Sequence, residues 1–179
     1  FGGNVEQAYY AVGAQFAAIA LIATTSILRI FWKEIAEANH RGDTAAMSTL
    51  YRKVTRMLYF AGACMSGLLI PWTGEILRWT LGYAYVEGAT TLAIMLLYPI
   101  HQSLGQVVGV LLYATEKLWV QVASGIATML TGIVAAYFVL APSTAVWPGL
   151  GLGAHGLAWK MVVIQFLNVN IVMYAVSRL

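Results

Sequence analysis

The chain has 179 residues, of which 60% are apolar and 9% are charged, and its formal net charge is +3. An ordinary soluble domain carries about 25% charged residues, so this chain has too few charges to cover a water-facing surface. The composition therefore excludes an ordinary soluble protein and predicts an all-α integral membrane protein.

Charge-free runs divide the sequence into five predicted transmembrane helices, each near the roughly 20 apolar residues that cross a bilayer. The run after Leu118 is too long for one helix, and the prolines and glycines between Pro142 and Gly156 break it after about Leu140. The predicted spans are about 8–31, 56–78, 88–114, 118–140 and 155–178, within a single transmembrane domain covering residues 1–179. Because the chain begins with Phe1 and no signal peptide is evident, we expect a fragment of a longer protein.

Between the first two spans lies the only sustained polar stretch, "WKEIAEANHRGDTAAMSTLYRK". If successive spans cross the membrane in opposite directions, eight basic residues lie on the same side as this stretch and two lie on the other side. The larger set is Arg29, Lys33, Arg41, Arg52, Lys53, Arg56, Lys117 and Arg178, and the smaller set is Arg78 and Lys160. By the positive-inside rule the stretch is a cytoplasmic loop. We interpret it as a charged linker facing anionic headgroups, with Asp43 or Thr44 capping a short surface helix.

The third span carries a polar stripe. On a helical wheel one face holds Tyr98, Gln102, Gly105, Gln106, Gly109 and Tyr113. Amides are costly in lipid, so this face must meet other helices or water. The Gly-x-x-x-Gly spacing favours close helix packing, and a solvated translocation cavity is the alternative. Pro99 is expected to kink the helix, and His101 beside the stripe is either a hydrogen-bonded packing residue or a proton relay.

Two basic residues lie close to the predicted hydrocarbon. Arg29, at the end of the first span, either anchors that helix or contacts a phosphate-bearing substrate. Lys160, early in the fifth span, either extends outward past Trp159 or faces a cavity as an anion-binding charge. Further along the fifth span, Gln165 and Asn168 share a face and are expected to form interhelical hydrogen bonds.

No motif of a hydrolase, a phosphate-binding glycine-rich loop or a zinc protease is present in the sequence. The carboxylates fall in loops or at span edges, and the three histidines lie at different depths. We therefore expect no enzymatic activity, no metal, no cofactor and no nucleic-acid partner.

Three stretches carry a resemblance to the C-terminal half of a transporter family. They are "VEQAYYAVGAQFAAIALIATTSIL", "ANHRGDTAAMSTLYRKVTRMLYFAG" and "LGYAYVEGATTLAIMLLYPIHQSLGQVVGVLLYATEK", and "GLGAHGLAWKMV" follows them where the family opens another helix. The order of features resembles the polysaccharide and lipid-linked oligosaccharide flippases of the multidrug/oligosaccharidyl-lipid/polysaccharide transporter superfamily. The resemblance covers nearly the whole chain.

This resemblance implies that the chain supplies five helices of a 12–14-helix transporter in the cell inner membrane. The remaining helices of that transporter would lie outside this chain. The implied substrate is an undecaprenyl-diphosphate-linked oligosaccharide for polysaccharide biosynthesis. Basic residues would hold the diphosphate and amides the sugar, so the candidate substrate-binding residues are Arg29, Gln102, Gln106 and Lys160. Two alternatives stay open: a cation-coupled small-molecule exporter of the same superfamily, and a membrane assembly subunit without transport activity.

Overall fold

The computed structural model describes residues 3–177, apart from the side chains of residues 23–26, and shows an all-α membrane protein. Its helices are α1 (Asn4–His40), α2 (Thr44–Leu69), α3 (Thr73–Leu81), α4 (Ala89–Met95), α5 (Tyr98–Ala114), α6 (Leu118–Leu140) and α7 (Gly153–Ser177). Short 3₁₀ helices at Ile70–Trp72 and Tyr83–Gly88 precede α3 and α4. The described residues contain no β-strand.

Four helical segments are long and apolar enough to cross a membrane: Thr44–Leu81, Tyr83–Ala114, Leu118–Leu140 and Gly153–Ser177. The two halves of helix α1, Asn4–Ile22 and Ile27–His40, meet at a bend of 52°. If these halves count as one bent span, α1 is the fifth. The expected number of about five spans therefore agrees with the structure. Arg178, which was counted with the basic residues, lies outside the described residues.

The stretch interpreted as a charged linker is a helical hairpin, and that part of the prediction was wrong. Helix α1 continues to His40, and α2 begins at Thr44. Apolar residues at helical spacing explain the difference, since Phe31 and Ile35 of α1 pack against Val54 and Leu58 of α2. The charged residues of this segment therefore do not stop it from forming a helix with one apolar face.

Asp43 caps α2 as expected, because its carboxylate accepts a hydrogen bond of 2.9 Å from the Ala46 backbone N–H. The capped helix is α2 itself rather than a separate surface helix. The Asn39 side chain donates to the Ala114 carbonyl at 3.2 Å, which places the hairpin beside the end of α5. We call this end of the bundle, where Arg41–Asp43 joins α1 to α2, the hairpin end.

The third predicted span is broken between α4 and α5, at Leu96 and Leu97. Pro99 lies in the first turn of α5 and cannot donate a backbone hydrogen bond to the preceding turn. The buried Ser66 hydroxyl of α2 donates to the Leu96 carbonyl at the break. A neighbouring helix thus satisfies a backbone group near the proline, as the apolar surroundings require.

At the opposite end of the bundle, the segment after α6 folds back onto that helix. The N–H groups of Leu150 and Leu152 donate to the carbonyls of Phe138 and Val139, at 2.8 and 2.9 Å. These bonds satisfy carbonyls that the end of α6 leaves without intrahelical partners. Helix α7 then begins at Gly153, two residues before the expected start at His155.

Helices α5 and α7 lie at the centre of the bundle. Helix α5 packs against α1, α2 and α7, and α7 also packs against α1, α4 and α6. Val107 of α5 is fully buried in the cluster with α1 and α2, and Ala158 of α7 is fully buried against Ala17 and Met95. Because α6 packs mainly on α7, most of its apolar surface stays open to lipid or to further helices.

A candidate amide-lined groove between α5, α6 and α7

Helices α5, α6 and α7 enclose a groove of about 540 Å³ that Leu28 of α1 closes on one side. We call it the amide groove, because five carboxamide side chains line it: Gln102, Gln106, Gln121, Gln165 and Asn168. The remaining lining residues are Tyr98, Gly105, Val108, Gly109, Val110, Tyr113, Ser124, Val169 and Val172. None of the lining residues is charged.

The polar stripe of α5 lies along this groove, and every one of its six residues contributes to the lining. Tyr98 and Gln102 are joined by a hydrogen bond of 3.1 Å from the phenol to the amide oxygen. Tyr98 and Tyr113 are 15 residues apart, or about 22 Å along the helix axis. This length is about three quarters of the roughly 30 Å thickness of a bilayer's hydrocarbon core.

Two glycines of α5, Gly105 and Gly109, explain why the helices are in close contact at one point and leave an opening one turn later. A Cβ atom at Gly105 would lie 3.0 Å from both Gln165 Nε2 and Val169 Cγ2, so α5 and α7 meet closely at this residue. One turn later, a Cβ atom at Gly109 would keep 3.8 Å from Gln121 Oε1. The Gly105-x-x-x-Gly109 pair thus combines helix packing at its first glycine with open space beside its second.

Three of the amides are free to bind a ligand. Within the described part of the chain, the side chains of Gln121, Gln165 and Asn168 have no hydrogen-bond partner. Each carboxamide offers two N–H donors and a carbonyl acceptor. A neutral groove with paired donors and acceptors suits hydroxyl or amide groups, whereas an isolated ion would lose its hydration without a counter-charge.

Sequence reasoning found only part of this lining. Gln102 and Gln106 lie where the helical wheel places them, but Gln165 and Asn168 line the groove instead of forming the expected interhelical hydrogen bonds. Gln121 and Ser124 of α6 were missed. Their spacing of three residues puts them on one face of α6, and this was the available signal.

The two basic candidate residues, Arg29 and Lys160, do not line the amide groove. Arg29 has an exposed side chain, although it directly follows Leu28 of the groove lining. Lys160 is half-buried on α7 and lies outside the lining, five residues or about 7.5 Å before Gln165 along the helix. The structure therefore joins Gln102 and Gln106 in one site and leaves Arg29 and Lys160 apart from it. Substrate contact by these two cations stays a prediction.

His101 packs beside the groove rather than in it. Its ring meets Phe166 of α7 edge-on, with ring centroids 4.9 Å apart. Its Nδ1 atom is buried and has no hydrogen-bond partner among the described residues, so the expected hydrogen bond is absent at that atom. No group of three His, Cys, Asp or Glu side chains within the described residues could hold a metal ion.

These features define an all-α membrane protein with a neutral, amide-lined groove between three helices of membrane-spanning length. No family model, no curated protein and no solved structure matches the chain.

Proposed function

We propose that this chain is part of a membrane transporter that moves a lipid-linked oligosaccharide between leaflets, and that the amide groove holds the saccharide. The observation that carries the proposal is the lining itself: five carboxamides and no charge, between helices long enough to cross a membrane. The resemblance to lipid-linked oligosaccharide flippases points to the same substrate class.

The chemistry of a sugar matches this lining. Each sugar hydroxyl both donates and accepts hydrogen bonds, as a carboxamide does. Moving such a group into hydrocarbon without a partner costs several kcal/mol, and a saccharide carries many of them. Gln121, Gln165 and Asn168 replace the lost water contacts, and the phenols of Tyr98 and Tyr113 extend the polar track along α5.

The charge distribution supports an orientation for this transporter. Because the basic residues concentrate at the hairpin end, this end faces the cytoplasm and the Pro142–Leu152 segment faces outward. The proposed location is the inner membrane of a bacterial cell. The phosphate part of the substrate lies outside the neutral groove, where Arg29 and Lys160 are the candidate contacts. Further helices of the parent protein would cover the open side of the bundle.

Reconstitution tests the proposal. The parent protein is placed in liposomes with a fluorescent lipid-linked oligosaccharide, and arrival of the sugar at the far leaflet is followed with a lectin or an impermeant quencher. A Gln165→Leu/Asn168→Leu variant should lower the rate at least tenfold, since each lost hydrogen bond of about 1 kcal/mol corresponds to roughly fivefold.

Asn170 provides the matched control. It is an exposed amide of the same helix that lies outside the groove, and it donates to the Phe166 carbonyl of its own helix at 2.7 Å. Asn170→Leu should leave the transport rate within about twofold of that of the unsubstituted protein, because surface substitutions usually have small effects. Equal rates in all three proteins would reject the groove as the saccharide site. An equal loss in the control would show a general effect on α7.

A further inference from the structure

We propose that the exposed face of α2 formed by Thr49, Arg52, Lys53 and Arg56 binds the phosphate of an anionic lipid headgroup. We call these four residues the basic face. The proposal does not depend on transport, because it concerns the lipid that surrounds the protein rather than the molecule in the amide groove.

The four residues form one shallow concave surface of about 420 Å³. Their spacing at i, i+3, i+4 and i+7 places them on the same side of the helix. The first and last of the three cations are four residues apart, or about 6 Å of helix rise. Because the Asp43 cap starts α2 at Thr44, and Val54 and Leu58 pack into the core, the charges are fixed on a rigid helix. A flexible linker would not hold them in this arrangement.

Nearby carboxylates leave most of this charge uncompensated. Glu37 lies 3.9 Å from Lys33, and Asp43 directs one carboxylate oxygen at the Ala46 N–H group of the α2 cap rather than at a cation of the basic face. Among the described residues, no ion pair involves Arg52, Lys53 or Arg56. Lys53 also borders a neighbouring surface that contains Glu34, Glu37 and Asp43. Arg52 and Arg56 are therefore the two cations that belong to the basic face alone.

The position of this face along α2 matches the depth of lipid headgroups. The charge-free run of α2 begins at Met57, directly after Arg56. Arg52 donates its Nε–H to the Ser48 carbonyl at 3.3 Å, and its two terminal nitrogens remain for phosphate oxygens. Guanidinium groups bind phosphate through two parallel hydrogen bonds, and Thr49 adds a hydroxyl donor. Basic residues beside a membrane helix attract anionic lipids in this way.

The experiment compares lipids that remain bound to the purified chain. Wild type, R52Q/R56Q and K33Q/R41Q are extracted from bilayers containing phosphatidylcholine and phosphatidic acid, and native mass spectrometry counts the retained lipids. Each double variant removes two exposed positive charges from the same hairpin, but only the first removes them from the basic face. Circular dichroism verifies that all three proteins are equally helical.

We expect R52Q/R56Q to retain at least tenfold less phosphatidic acid than wild type, since each basic residue contributes roughly fivefold to anionic-lipid binding. K33Q/R41Q should stay within about twofold of wild type, and phosphatidylcholine should be retained equally by all three. A loss in R52Q/R56Q no larger than that in K33Q/R41Q would overturn the proposal, because diffuse charge would then explain the binding.

Inorganic pyrophosphate separates a lipid phosphate from a soluble one. Displacement of bound phosphatidic acid from wild type by pyrophosphate would support phosphate recognition at the basic face. Binding of pyrophosphate to wild type but not to R52Q/R56Q, without retention of phosphatidic acid by either, would overturn the lipid as the occupant.

Discussion

Glu6 ties the first helix to the last, and its removal should destabilise the fold. Its Oε2 atom accepts a hydrogen bond of 2.6 Å from the Ala154 backbone N–H in the first turn of α7, across 148 positions of sequence. Gly153 beside it has φ of +57°, which favours glycine, and a Cβ atom there would lie 2.5 Å from Glu6 Oε2. The carboxylate therefore satisfies a free N–H group of α7 and meets the positive end of the helix dipole.

The magnitude follows from these two contributions. A hydrogen bond to a charged group contributes about 1.5–3 kcal/mol, and a carboxylate at a helix N-terminus about 0.3–1 kcal/mol. Together they amount to about 2–4 kcal/mol. Because Glu6 is partly exposed and water screens its charge, we expect Glu6→Ala to cost about half of that, or about 1–2 kcal/mol. For a chain of this size that lowers Tm by roughly 2–8 °C. Glu6→Gln keeps an acceptor without the charge and should cost about half as much as Glu6→Ala.

The assay is thermal unfolding in detergent micelles, followed by circular dichroism. Glu34→Ala is the matched control, because it removes an exposed carboxylate from the same helix. Equal Tm values for Glu6→Ala and Glu34→Ala would refute the reasoning, since the bond to α7 would then contribute nothing measurable.

Three further predictions concern helix packing, capping and orientation. Gly105→Val should cost about 1–3 kcal/mol by overpacking α5 against α7, measured as a lower Tm. Gly109→Val introduces the same side chain where a Cβ atom has more room and should lower Tm less, so equal effects would contradict the close approach at Gly105. Asp43→Ala should cost about 1 kcal/mol through loss of the α2 cap, and an unchanged Tm would argue against that cap. In a Cys64→Ala background, a membrane-impermeant thiol reagent applied to intact cells should label a cysteine that replaces the exposed Val146 and should not label one at position 43. The reverse pattern would contradict the proposed orientation.

Hydropathy and helical periodicity predicted the features that depend on local sequence. Long apolar runs define the helices, and the side-chain period of 3.6 places Gln102 and Gln106 on the face of α5 that lines the groove. Pro99 marked the break in the third span for a local reason as well, because its ring removes a backbone donor.

Other features depend on which helices meet, and a single sequence does not specify this. The residues of the α1–α2 hairpin are charged enough to suggest a linker, yet Phe31 and Ile35 form the apolar stripe of a helix. Gln121 and Ser124 look like scattered polar residues in α6 until α5 and α7 are placed beside them. The bond between Glu6 and Ala154 joins residues from opposite ends of the chain, which no local pattern reveals.

Cysteine accessibility on α7 tests most directly whether the amide groove is a hydrated saccharide site. In the Cys64→Ala background, Gln165→Cys places a thiol in the groove, whereas Leu167→Cys places one on the exposed outer face two residues away. A charged thiol reagent should modify position 165 in membranes and leave position 167 largely unmodified. Lipid-linked oligosaccharide at about four times its dissociation constant or more should slow the reaction at 165 at least about fivefold, because no more than about a fifth of the sites then remain unoccupied. Absence of reaction at 165, or a reaction rate that the oligosaccharide does not change, would contradict the assignment of the groove.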